Sequence, residues 1–169
     1  FGITVTSGNI GSVLLQTGGY EKSIEYSGIA KKGYEELGYL RYVPYALGNI
    51  AIANDSLHRA KEAEGFYQEA FSQHLKFGNN YEAAYNAKNL VYFYLKQHQV
   101  DRAKPYAAQA VNLAKKIGAK EMLRDSYRAM SLIHYQLHNY QEAYASQLKF
   151  TALKDSLVEA TKTKTILEL

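Results

Sequence analysis

The chain contains no cysteine, no tryptophan and only two prolines among its 169 residues. Without thiols it has no disulfide framework, no thiolate zinc site and no cysteine nucleophile, and its compartment stays open on this ground. No apolar run approaches the roughly 18 residues that a membrane-spanning helix requires, so this piece is not expected to insert into a membrane. The chain opens at Phe1 without a basic and then apolar leader, and we read it as a soluble piece of something longer. Charge of a single sign is also scarce. Twenty basic and 16 acidic residues, net +4, are spread along the sequence, and only Lys162 to Lys164 forms a short basic run. Nucleic acid is therefore not an expected partner, since it calls for a basic patch or stripe.

What is present is a hydrophobic fraction of 47%, enough for a sizeable core within one domain, and 16 tyrosines. The few prolines and many half-polar rings read as a mostly helical chain. Its organisation is periodic. Blocks of 40 residues begin at Phe1, Arg41, Tyr81 and Glu121, giving repeats 1–40, 41–80, 81–120 and 121–160, with 161–169 as a continuation of the last helix or a linker. Gly38, Gly78 and Gly118 recur in register after Leu37, Phe77 and Ile117, as helix stops should, because glycine enters the left-handed region without a Cβ penalty. Ser23, Ala63, Ala103 and Ala143 recur likewise, as do Ala30, Ala70 and Ala110, and Asn9, Asn49 and Asn89.

Each block thus predicts two amphipathic helices joined by a short turn, with small residues on the second helix allowing close approach. Pro44 and Pro105 are expected near helix starts, where proline is tolerated best. A single block cannot bury its apolar face, so neighbours must stack, and four blocks exceed the roughly three that such arrays need. The last block lacks a stop: Val158 stands where glycine recurs elsewhere. Phe150, Leu153, Leu157, Ala160, Lys164 and Leu167 keep a three-four spacing, so the last helix is expected to be longer than its counterparts. It either continues as a coiled-coil-like seam or frays after about Ala160.

These residues resemble the tetratricopeptide repeat family. Its second-helix pattern of an aromatic residue followed by small positions is met by Tyr140, Ala143 and Gln147, by Tyr20, Ser23 and Ala30, by Ala63, Tyr67 and Ala70, and by Val100, Ala103 and Ala110. Gly11, Ala51 and Ser131 fill its small first-helix position, where the third block has Val91. The resemblance implies an all-α fold, a right-handed α-α superhelix of four helix-turn-helix repeats, forming one domain over 1–160. The 40-residue unit and the ending ALKDSLVEATKTKTILEL are similar to sensor regions of Bacteroidetes-type two-component proteins. This implies a ligand-sensing or scaffolding region of a bacterial signal-transduction protein, a histidine kinase or transcriptional regulator, with an extracytoplasmic location favoured. A self-contained cytoplasmic adaptor or peptide receptor is the alternative. Dimerisation through the terminal helix is compatible with the sensor reading.

Motifs of chemistry are sparse. His134 and His138 have the spacing of a helical metal pair, but the register puts His134 at a packing position and His138 in a turn, with no third ligand placed to complete a site. His58 and His74 are read as surface or packing residues. There is no phosphate loop, nucleophile elbow or carboxylate pair, so no metal, cofactor or catalytic residue is expected, and this region is not expected to be an enzyme. A parent chain leaves room for a kinase module.

A binding surface is the better expectation. The resemblance implies that the position of Asn9, Asn49 and Asn89 points into a concave groove, where a side-chain amide can both donate to and accept from a peptide backbone. The same register surrounds it with Tyr45, Ile52, Tyr85, Lys88, Tyr92, Lys96, Arg128, Leu132 and Tyr135. Rings mixed with positive charge suit an extended peptide or protein segment with an acidic or aromatic feature. The alternative is that the asparagines bond between helices and the tyrosines fill the groove floor. Gly48, Ile52, Asp125 and Ala129 replace what a clamp for chaperone tails needs, so that ligand is not expected.

Overall fold

The computed structural model describes the backbone of residues 1–167 and the side chains of residues 1–163. Among the described residues there is helix and no strand. Eight α-helices follow in helix-turn-helix pairs: α1 Gly2–Gln16, α2 Tyr20–Glu36, α3 Val43–Ser56, α4 Ala60–Lys76, α5 Asn80–Lys96, α6 Val100–Lys116, α7 Lys120–Gln136 and α8 Tyr140–Leu167. A 3-10 turn, Leu40–Tyr42, leads into α3. The chain condenses as two compact units, Phe1–Asn86 and Ala87 onward, divided within α5.

The turns show why the period is so regular. Positive φ occurs at Gly18, Gly38, His58, Gly78, His98, Gly118 and His138, in step at the end of every helix from α1 to α7. At each, the left-handed residue donates its N–H to a carbonyl three back and the next residue donates to one five back. Gly38 to Glu35 at 3.2 Å with Tyr39 to Tyr34 at 2.8 Å is one case, and His58 to Asp55 at 3.0 Å with Arg59 to Asn54 at 2.9 Å another. This double closure satisfies carbonyls that a helix end leaves free. The turn histidines therefore occupy the backbone role that glycine holds elsewhere, which answers what the His58, His98 and His138 positions do.

In the first unit, Ala30, Tyr34, Val43, Ala46, Leu47 and Ala70 form a buried cluster, with Val5 and Phe66 packed against it. Helices α1 and α2 approach closely at Gly11: Ser23 Oγ donates to the Gly11 carbonyl at 2.8 Å, in a fully buried position. The same two register positions meet again in the second unit with the donor reversed, Ser131 Oγ donating to the Ala143 carbonyl at 2.9 Å. Ala103, Ala107, Ala110 and Ala114 form the fully buried stripe of α6, and Met122, Ala129 and Ile133 that of α7.

Two expectations about helix ends meet different outcomes. Pro44 lies in the first turn of α3, but Pro105 falls inside α6 rather than near its start. Having no N–H, it leaves the Asp101 carbonyl without its ordinary intrahelical donor, in an exposed stretch where water can serve. Helix α8 runs for 28 residues against 17 in α7, and passes Ala160 without a stop. Phe150, Leu153 and Leu157 are half-buried along it. The side chains of Lys164 and Leu167, which the seam also calls on, lie outside the described residues. No helix among the described residues is long and apolar enough to cross a membrane.

Candidate functional site

The repeat places positions 5, 8, 9 and 12 of each first helix on one face, and in the first unit that face opens a cavity of about 620 Å³. Val5, Gly8, Asn9 and Ser12 come from α1, Tyr45, Gly48, Asn49 and Ile52 from α3, and Glu82, Tyr85 and Asn86 from the first turns of α5. Phe1, Tyr34, Tyr42, Pro44, Ala46 and His74 complete the wall. Gly8 and Gly48 are what make room. A Cβ at Gly8 would sit 3.5 Å from the Tyr34 hydroxyl and one at Gly48 3.5 Å from Asn86 Oδ1, so longer side chains at either position would project into the space. The same repeat position carries Lys88 and Arg128 further along the chain.

Of the expected site residues, Tyr45, Asn49, Ile52 and Tyr85, together with Asn9, line this cavity. Lys88, Asn89, Tyr92, Lys96, Arg128, Leu132 and Tyr135 belong to the second unit and do not line it. Several have partners there. Lys88 Nζ lies 3.7 Å from Asp125 Oδ2, and Arg128 sits over the Phe150 ring at 5.9 Å. Burial raises the Tyr92 pKa above the ordinary phenol value, with Arg128 opposing and Asp125 reinforcing the rise. Tyr135, 64% exposed, packs edge-on to Tyr140 at 5.8 Å.

The asparagines divide by chemistry. Asn54 Nδ2 donates to the Ile50 carbonyl at 2.8 Å, and Asn86 Nδ2 to that of Glu82 at 3.0 Å, so both are satisfied within their own helices. Asn9 and Asn49 line the cavity and make no side-chain hydrogen bond among the described residues.

The cavity wall is aromatic. Tyr34 and Tyr42 lie 5.5 Å apart, Tyr42 and Tyr45 6.3 Å, and Tyr45 stands edge-on to His74 at 4.8 Å. His74 is 1% exposed, and desolvation lowers its pKa to about 4, so it is a neutral packing residue at pH 7. Its Nδ1 faces Asn79 Nδ2 at 3.4 Å, while Asn79 Oδ1 accepts from Arg41 at 3.2 Å. Burial raises the pKa of Tyr34, and also that of Tyr45, where Glu82 adds to the rise and Arg41 opposes it. Burial likewise raises the Glu82 carboxyl above its ordinary value.

Sequence reasoning missed Glu82, Asn86, Tyr34, Tyr42 and His74 as lining residues. Tyr34 and His74 share one register position on the second helix, so a large polar ring at that position in two successive repeats was the available signal. Two glycines at position 8 were the other. Among the described residues no group of histidines and carboxylates could hold a metal ion.

No family model matches the chain, and no curated protein matches it. Its fold is similar to the crystal structure of BtubC (BKLC) from P. vanneervenii, with a TM-score of 0.82 at 19% identity, covering 91% of this chain and 64% of that one. It is also similar to that of aspartyl phosphate phosphatase F from Bacillus subtilis, with a TM-score of 0.86 at 18% identity, covering 91% of this chain and 40% of that one. The chain thus spans less than two thirds of either protein. These likenesses define the class as an all-α, tetratricopeptide-like helix-turn-helix repeat fold.

Proposed function

We propose that the chain is a protein- or peptide-binding repeat module, and that the cavity of Phe1–Asn86 is where an extended peptide segment engages it. The observation that carries this is the pair of lining amides: Asn9 and Asn49 come from consecutive repeats, line an aromatic cavity of about 620 Å³, and lack a side-chain partner among the described residues. An amide that donates and accepts can hold a peptide backbone whatever its side chains, while the cavity takes one anchor side chain. Asn9→Ala with Asn49→Ala is expected to weaken binding of a randomised hexapeptide pool about tenfold, a loss of roughly 1.4 kcal/mol, with helicity by circular dichroism unchanged. Unchanged affinity in the folded double variant would exclude this role.

The context we favour is the sensing or scaffolding region of a bacterial signal-transduction protein. The 28-residue α8 supports it, because a helix that outruns its repeat gives a binding event a rigid element to displace. A self-contained adaptor or peptide receptor is the alternative reading. Sequencing the parent reading frame separates the two: the sensor reading expects a membrane span or signalling helix beyond residue 169, and an open reading frame that stops there would contradict it.

A further inference from the structure

Resting on the peptide-binding reading, the cavity also specifies the anchor. Its lining includes one carboxylate, Glu82, and no lysine or arginine side chain. Glu82 is half-buried, and its carboxylate makes no hydrogen bond or ion pair among the described residues. The nearby Arg41 does not line the cavity, and its guanidinium donates to Asn79 Oδ1. His74, whose side chain also lines the cavity, is neutral at pH 7. Tyr42, Tyr45 and Tyr85 supply aromatic rings to the lining, each roughly two-fifths exposed.

A carboxylate without a counter-charge, set in a wall of tyrosine rings, is complementary to a cation: the ring faces attract it through their quadrupoles and the carboxylate through charge. We propose that the cavity accepts the lysine or arginine side chain of an extended peptide, with Glu82 as its counter-ion and Tyr42, Tyr45 and Tyr85 around it. This reverses the sign expected from Lys88, Lys96 and Arg128, whose charges lie in the other unit. The stem of a lysine or arginine is apolar, which suits the Val5, Pro44 and Ile52 side chains of the lining.

Four hexapeptide pools test this, each with one interior residue fixed as lysine, arginine, norleucine or glutamate and the others randomised, titrated against the chain and against Glu82→Gln. The lysine and arginine pools are expected to bind about tenfold more tightly than norleucine, a difference near 1.4 kcal/mol. The glutamate pool should bind most weakly, and Glu82→Gln should abolish the preference without loss of helicity. A preference that survives Glu82→Gln, or norleucine and glutamate pools that match lysine, would overturn the cation site. Binding of all four pools alike would leave the peptide site standing without its charge selectivity. No binding of any pool would overturn both readings.

Discussion

Tyr45 stands edge-on to His74, ring centroids 4.8 Å apart and planes at 90°, so a ring of the cavity wall rests on a histidine sealed in the core. Because burial holds the His74 pKa near 4, the unfolded chain takes up this proton first as pH falls below the ordinary value of 6.5. The stability associated with neutral His74 is present above pH 6.5 and lost as pH falls through the window down to 4. Its full extent is about 3 kcal/mol. Denaturant titrations across this window should show stability declining in the parent chain, and a shallower decline in His74→Phe.

Glu82 carries the opposite sign. Its folded pKa is raised, so the folded state holds the proton more tightly than the unfolded one, and stability is lost as pH rises through the folded value. Glu82→Gln should consequently raise the melting temperature at neutral pH, even as it removes cation selectivity. A melting temperature lowered by this substitution would mean that the carboxylate has a stabilising partner.

The turn histidines define a third prediction. His58, His98 and His138 have φ near 60°, where a residue with a Cβ is strained and glycine is not. His58→Gly, His98→Gly and His138→Gly should each stabilise the chain, by about 0.5–1 kcal/mol in chemical denaturation. Gly38→Ala, at φ 75°, should destabilise it by a similar amount, about 1 kcal/mol.

At the contact of α1 with α2, a Cβ on Gly11 would collide with Ser27 Oγ, a buried hydroxyl with no hydrogen-bond partner. Gly11→Ala is expected to destabilise by about 1–3 kcal/mol, as overpacked cores do. Ser27→Ala removes an unsatisfied polar atom and should be neutral or stabilising. Combined, the two should be less destabilising than Gly11→Ala alone, and a purely additive double-mutant cycle would contradict the geometry.

The repeat was legible because backbone chemistry recurs with it: Gly38, Gly78 and Gly118 name their own turns, and Val158 announces that α8 continues. His138 was placed in a turn by register and His58 was read as a surface or packing residue, yet the left-handed backbone of His58, His98 and His138 was hidden, because histidine does not advertise that conformation as glycine does. Pro105 was read as a start signal, whereas α6 absorbs it on an exposed face. Of the residues that line the cavity, the family resemblance with the repeat register named Asn9 on α1, Tyr45, Asn49 and Ile52 on α3 and Tyr85 on α5, since side chains three and four apart share a helix face. It did not find Glu82 and Asn86 on α5, nor the second-helix rings of Tyr34 and His74. Those depend on how helices of different repeats pack together, which periodicity within each helix does not encode. Nor did the sum of charges reveal that Lys88 and Arg128 belong to the second unit and are not among the residues that line the cavity of the first.

The central claim is that peptide engages the cavity between Asn9 and Asn49, and side-chain amide resonances followed by nuclear magnetic resonance during titration of the lysine hexapeptide pool test it most directly. The account predicts saturable shifts at Asn9 and Asn49, with the exposed Asn112 of α6 unmoved. Shifts that spare Asn9 and Asn49 while the peptide binds elsewhere, or no saturable shift at all, would contradict it.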